Sequence, residues 1–482
     1  MTSTSTVATN ATRDLAAYIV DFQWADVPAS TQRRVLDITV DGVAAGLFGS
    51  QLPWSRKAVD GLARLGSSGM ASVWGHGRSM GLEHAAMLNS SFIQGFELDD
   101  YHEFGPMHVA AAIVPPVLAW AESAATPPDP DELLAALAVG MEVGPRLGIT
   151  IGAYDLLDRG WHCGVIYGSL AAAAALARLA KLDVDQTEDA LGIAATQASG
   201  LMAAQYEGMV KRIQHGFAAR AGLVAVALAS AGYTGIKNVL ERPYGGFSST
   251  FTPGRDIDWR GMAAGLGTGW EIERDALKAY SCYGGIHPSL DGVKAWMAQG
   301  LLTAENLRHL EITVPKTLHE HAAWELRPET WTVIGAQMNI RYSVAACIVT
   351  GDAFVDAFLP QRSTDPRIWR CMEKISVRTD DAWQARITER RTMRATKLEL
   401  TDSAGDRHEL IVESATGTTA HPLTSEQVQA KASRLLGYVS ASAGEASGVV
   451  DALYRLPEPG SLMGVMDALA ADRTMHADRY GF

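Results

Sequence analysis

Between Gly95 and Pro116 the chain reads GFELDDYHEFGPMHVAAAIVPP, which sets three carboxylates (Glu97, Asp99, Asp100) and two histidines (His102, His108) between apolar segments. Ionisable groups are costly to bury unless they are paired or used, so such a cluster inside core-like sequence marks a site. The residues after His108 are small and apolar and predict a buried helix that starts close to that histidine. Its free backbone N–H groups form a natural place to receive an anion. Four further segments share one design: a polar or basic residue, a small-residue turn, then an apolar helix. Trp161–Ala175 carries His162, Gly208–Gly222 carries Lys211, Arg212 and His215, Lys278–Asp291 carries a lysine, two tyrosines and His287, and Trp324–Gly351 carries Arg341 and Tyr342. Several such ends around one cavity would combine helix dipoles with Lys and His charge into a receptor for carboxylates. Histidine and carboxylate beside lysine also suit removal of a proton next to a carbonyl and stabilisation of the enolate-like charge.

The elements that must position these residues follow from hydrophobic period. Apolar residues recur at helical spacing over Ser30–Leu47, Pro130–Gly148, Gly168–Leu182 and Gly216–Ala231, so the chain to about residue 272 predicts helix after helix. From about 273 to 407 the texture changes. Leu310–Val314, Lys374–Val377 and Ala395–Leu400 alternate as strands do, while Asp291–Gln299 and Ile340–Val349 are helical. Strand texture continues through Leu410–Glu413, and Ser425–Leu436 and Ala446–Leu456 return to helix. The expected fold is mostly α, with a large helical domain built from both chain ends (1–272 and 408–482) and an inserted α+β lid (273–407).

Composition narrows the function classes. The 482 residues are 47% hydrophobic and 20% charged, which fits densely packed helices, and the net charge of −13 argues against nucleic acid or anionic membrane as partner. The four cysteines (Cys163, Cys282, Cys347, Cys371) are scattered with no zinc-like spacing, as expected of reduced thiols in a cytoplasm. Nothing near Cys282 in sequence activates it, so a buried structural thiol is expected there. The N-terminal MTSTSTVATNATRD has neither an apolar run nor a basic stretch, so no secretory signal is expected. The alanine-rich run Ser169–Ala180 is short and reads as a buried helix, not a membrane span. His102 with Asp99 and Asp100 lacks the spacing of a recognised metal-ligand motif, so no metal site is expected.

Taken in order, several motifs resemble the MmgE/PrpD family of 2-methylcitrate dehydratases and cis-aconitate decarboxylases. They are ELDDYH…H at Glu97–His108, GxH at Gly160–His162, ALGIAATQASGL at Ala190–Leu201, MVKR…G at Met209–Gly216 and GYTG at Gly232–Gly235. KxYxC…H…D at Lys278–Asp291 and RPxT…YxxA at Arg327–Ala345 complete the series. The resemblance covers nearly the whole chain. It implies a cofactor-independent lyase, usually a homodimer, acting on a small carboxylic acid. It places His108, His162 and Lys211 as catalytic residues, with Glu97, Asp100, Lys278, Arg212, Gln214 and His287 toward the substrate. The default chemistry is dehydration of a 2-methylcitrate-like hydroxy acid. Decarboxylation of a cis-aconitate-like acid and epimerisation of an imino- or amino-diacid are the alternatives, and a non-catalytic metabolite-binding dimer is the third. The chain departs from the family pattern at Gln214, where a histidine is common and His215 stands one residue later. It departs again at Val109 and Cys163, where proline often follows the histidine, and at Gly284, often an arginine. Loss of that arginine removes a bidentate carboxylate clamp, which points to a less charged or differently shaped acid than methylcitrate.

Overall fold

The computed structural model describes residues 10–66, 68–206, 208–390 and 394–474, so the first nine residues of the N-terminal segment lie outside the described part. The fold is mostly α, as the helical periodicity implies, with one small mixed sheet. At the centre, helices Val109–Ser123, Pro130–Ile151, Cys163–Leu179 and Gln214–Ser230 pack on one another and against Leu82–Ile93. Small residues set how close they come. A Cβ at Gly222 would lie 2.5 Å from Ala172 Cβ, and one at Gly140 2.8 Å from Ala175 Cβ. Substituting either would force the helices apart, which is costly in an interior packed to crystal-like density. Pro130–Ile151 is long and apolar enough to cross a membrane, yet 89% of its apolar window is buried inside the protein.

The helix expected to begin at Gly168 begins at Cys163, directly after His162. Its early glycines serve packing and do not end the helix. A Cβ at Gly164 would meet Met107 Cα at 2.7 Å, so this first turn lies against the segment leading into His108. The two histidine-bearing segments are held together at that point.

The lid sheet has the strand order Ile375–Arg378, Leu307–Thr313, Thr396–Asp402, Arg407–Val412. The first pair is parallel and the other two are antiparallel, with Leu310 opposite Ile375 and Leu400, and Leu398 opposite Leu410. Leu310, Ile312, Leu398 and Leu400 are buried on one face, as strand alternation requires. Helix His287–Ala298 covers it, with Gly292 admitting the Leu398 side chain. The fourth strand carries the α+β unit past the boundary expected at residue 407, because its register with Thr396–Asp402 runs to Val412. Beyond it, helix Ser425–Leu436 docks on Ala29–Ser50, where Lys431 Nζ lies 2.8 Å from Asp41 Oδ1 and donates to the Leu98 carbonyl at 2.7 Å. A two-residue antiparallel pairing, Tyr101 with Ala276 and His102 with Asp275, ties the carboxylate-rich segment to the start of the lid.

Candidate active site

His108 and His162 occupy equivalent positions. Each is the residue immediately before a buried helix of small residues, Val109–Ser123 and Cys163–Leu179. Both line one cavity, together with Glu97, Lys211 and Lys278 and with Tyr101, Tyr154, Tyr283 and Arg394. Their ring centroids are 6.4 Å apart, and His215 sits against both at 4.9 Å. Of the residues singled out in the sequence, five therefore meet in one space and four do not line it.

The cation wall is organised by Glu97. This residue follows a short 3-10 turn with φ of +57°, a backbone conformation uncommon outside glycine. Lys211 donates to Glu97 Oε1, Arg212 Nη1 to the same oxygen at 2.9 Å, and Lys278 Nζ to Oε2 at 2.9 Å. Burial alone would raise the Glu97 carboxyl, but Lys211, Lys278 and Arg212 outweigh it and hold the group well below the usual carboxylate range. Lys211 is pulled the other way: burial pushes its ammonium pKa down despite Glu97. Arg212 is turned away from the cavity, its Nη1 also donating to the Gln94 carbonyl at 3.2 Å and its Nη2 to Gln337 Oε1 at 2.7 Å. It anchors the wall and has no face toward a substrate.

The family resemblance places Asp100 toward the substrate, but it caps a helix and does not line the cavity. Its carboxylate accepts from the backbone N–H groups of Val109 and of Ala110, so it fills the helix N-terminus beside His108. The anion position predicted for a substrate is thus occupied by the chain's own carboxylate. Burial and the neighbouring Asp99 push the Asp100 carboxyl up to about 7. His108 Nδ1 donates to the Asp100 carbonyl at 2.8 Å, with Asp99 Oδ2 2.7 Å from the same nitrogen. Nε2 is left for the cavity. Burial would raise Asp99, yet the charge on His108 and on Lys278 brings it below its ordinary value.

Gln214 does not line the cavity either. Its Oε1 lies 2.6 Å from His162 Nδ1, and its Nε2 donates to the Leu201 carbonyl at 3.0 Å. The Leu201 bond fixes which way the amide faces, so Nδ1 of His162 carries the proton and Nε2 keeps its lone pair. Burial, with Lys211 and His108 nearby, pushes the His162 pKa down to about 3. His287 is buried elsewhere: its Nε2 donates to the Cys282 carbonyl at 3.3 Å, its ring lies against Tyr280, and burial depresses its pKa to about 3. Cys282 is a buried free thiol pushed upward by burial. His102 turns toward Glu271, and among the described residues no three His, Cys, Asp or Glu side chains are arranged to hold a metal ion.

Sequence reasoning missed Arg394 and Tyr154. Gly284 explains the first. A Cβ at Gly284 would lie 2.6 Å from Tyr101 Cε1, so the Tyr101 ring fills the space a side chain at 284 would need. The Arg394 guanidinium lies over that ring, 4.1 Å from its centroid. A guanidinium thus reaches this wall from another element, although position 284 carries no side chain.

A helical body with an α+β lid and a cavity lined by two histidines at helix starts, two lysines and an arginine is suited to binding an anionic small molecule. Residues 13–260 match the MmgE/PrpD N-terminal domain and 280–454 the MmgE/PrpD C-terminal domain, and the chain belongs to this family of lyases. It is 39% identical over 384 residues to a cis-aconitate decarboxylase-like protein of Aspergillus oryzae, covering 77% of this chain and 80% of that one. It is 38% identical to the cis-aconitate decarboxylase of Aspergillus terreus, covering 73% and 74%, and 24% identical to that of Mus musculus, covering 72% and 71%.

Proposed function

We propose that the protein decarboxylates cis-aconitate or a closely similar unsaturated tricarboxylate. The observation that carries this reading is the excess of positive charge on one cavity's wall: Lys211, Lys278 and Arg394 line it against the carboxylate of Glu97. A polyanionic guest balances that excess, whereas an empty or apolar guest leaves it uncompensated. The names of the relatives favour decarboxylation over the dehydration expected by default.

The chemistry needs cations, a proton donor and little else. The carboxylate on the saturated methylene is the one that can leave. As its bond to that carbon breaks, the electron pair forms a new double bond to the central carbon. The old double bond's pair then moves to the carbon beside the far carboxylate. One proton added there completes the change from a trianion to CO2 and a five-carbon methylidene dianion. In this reading Lys211 and Lys278 hold the carboxylates and the developing enolate-like charge, a role worth most in a water-poor site. His108, backed by Asp99, delivers the proton from Nε2. His162 stays neutral and accepts a hydrogen bond at its own Nε2.

That free lone pair is the one observation favouring a second reading, dehydration of a 2-methylcitrate-like acid with His162 as base. The two separate in one experiment, in which purified protein is offered cis-aconitate and 2-methylcitrate and followed by proton NMR with CO2 trapping. One CO2 released per cis-aconitate consumed supports the proposal. Turnover of 2-methylcitrate without CO2, or of neither acid, overturns it. We also infer a homodimer, supported by the exposed apolar residues Leu201, Tyr206, Met209, Val210 and Phe217 close to the site in sequence. Sedimentation at the mass of one chain would contradict it.

A further inference from the structure

Among the described residues, the cavity's other cations are all paired, and Arg394 is not. Lys211 and Lys278 share Glu97, and Lys278 also lies 3.5 Å from Asp99. Arg394 makes no ion pair, and its Nη1 is buried without a hydrogen-bond partner. A guanidinium presents a planar fork of donors that matches a carboxylate, so leaving its buried Nη1 unbonded is unfavourable unless a ligand completes it. Its surroundings hold it in place without an ion pair: it rests on the Tyr101 ring and lies beside Tyr154 and Tyr283, and Glu103, in the wall of the second cavity, acts on it from beyond ion-pair reach.

Its position is also distinctive. Arg394 belongs to the wall of the main cavity and to that of a second, neighbouring one. The two share Tyr101, Tyr154 and Gly284 as well. It therefore stands at the junction of the two cavities, sharing the first with the Glu97-bound lysines.

We infer that Arg394 seats one carboxylate of the substrate where the two cavities meet, and that it sets the preference for tricarboxylic over dicarboxylic acids. The inference rests on the decarboxylase reading for the substrate's chemistry, but not for its test. The lysine wall holds the remaining carboxylates, and Gly284 is the permissive residue, because it gives Tyr101 the room to carry the guanidinium. A dicarboxylate can satisfy the lysines and still leave Arg394 bare.

The test is binding of non-reacting acids to the full chain by titration calorimetry. Propane-1,2,3-tricarboxylate is compared with glutarate and methylsuccinate, each of which lacks one of its carboxylates. Wild-type protein is expected to bind the tricarboxylate at least about 10-fold more tightly than either dicarboxylate. Arg394→Gln should weaken the tricarboxylate about 10- to 100-fold and the better dicarboxylate less than about 3-fold, closing the gap. Arg394→Lys should fall between. Gly284→Ala, which pushes on the Tyr101 ring, should act in the same direction more weakly and serves if Arg394→Gln does not fold. Equal weakening of all three acids, or no change in any, overturns the inference. Because no turnover is involved, a protein that binds as described but releases no CO2 from cis-aconitate would sink the decarboxylase reading and leave this one standing.

Discussion

His108 and His162 stand at the same place on two parallel designs, each capping a small-residue helix at one cavity, yet their partners are opposite in kind. His108 Nδ1 faces Asp99 and the Asp100 carbonyl. His162 Nδ1 faces the neutral amide of Gln214. A carboxylate neighbour favours an imidazolium, while an amide fixes a tautomer without compensating charge. The contrast teaches that position on a helix end brings a histidine to the site, and the residue behind it assigns the proton chemistry. In the proposed reaction one histidine gives a proton and the other stays neutral.

The largest effect is expected from removing the donor itself. His108→Gln should lower kcat on cis-aconitate by about 10²- to 10⁴-fold while binding of propane-1,2,3-tricarboxylate stays within a few-fold. Steady-state rates and calorimetry together check this. Asp99→Asn removes the carboxylate but leaves the ring, so a smaller loss of kcat, on the order of 10-fold to 10²-fold, is expected. A rise in KM alone would show that Asp99 orients the lysine wall instead of supporting His108.

Gln214→Glu makes the two histidines alike, and so attacks the comparison directly. A carboxylate at Nδ1 should move the His162 pKa up from about 3 by roughly one to three units. The acid limb of the pH–rate profile should shift upward with it. An unchanged profile would mean that His162 does not need to be neutral.

The smallest effect is on stability. His162 titrates near 3 in the fold against about 6.5 when unfolded, so between those values the unfolded chain binds the extra proton. Stability from this group is complete above about 6.5 and is lost as the pH falls toward 3. Over the two units from 6.5 to 4.5 the loss is at most roughly 2–3 kcal/mol. Denaturation of wild type and His162→Gln at both ends of that range should show the variant losing less.

The sequence made the helical body legible because small apolar runs at helical spacing are unambiguous, and it placed both histidines at helix starts for the same reason. The shared helix-start design pointed to one cavity, but which residues meet there came from the family resemblance, since Glu97, Lys211 and Lys278 are more than 60 residues apart from one another in the chain. Direction was not legible at all. Asp100, Arg212, Gln214 and His287 lie beside site residues in sequence, but their side chains turn to a helix N-terminus, the Glu97 wall, His162 and the Cys282 carbonyl. Arg394 was hidden for a different reason. It stands in the charge-rich run ITERRTMRATKLEL, where it looks like a solvated residue, and only the space left by Gly284, more than 100 positions away, gives it a role.

The central claim is that CO2 leaves cis-aconitate and His108 returns one proton, and the product formed in D2O by wild type and His108→Gln tests it most directly. Wild type should release one CO2 per product, with a single deuterium on the carbon beside the far carboxylate. His108→Gln, still binding the tricarboxylate probe, should form product slower by at least about 10²-fold. Formation of the same labelled product by His108→Gln at close to the wild-type rate, with the loss appearing in His162→Gln instead, would contradict the account.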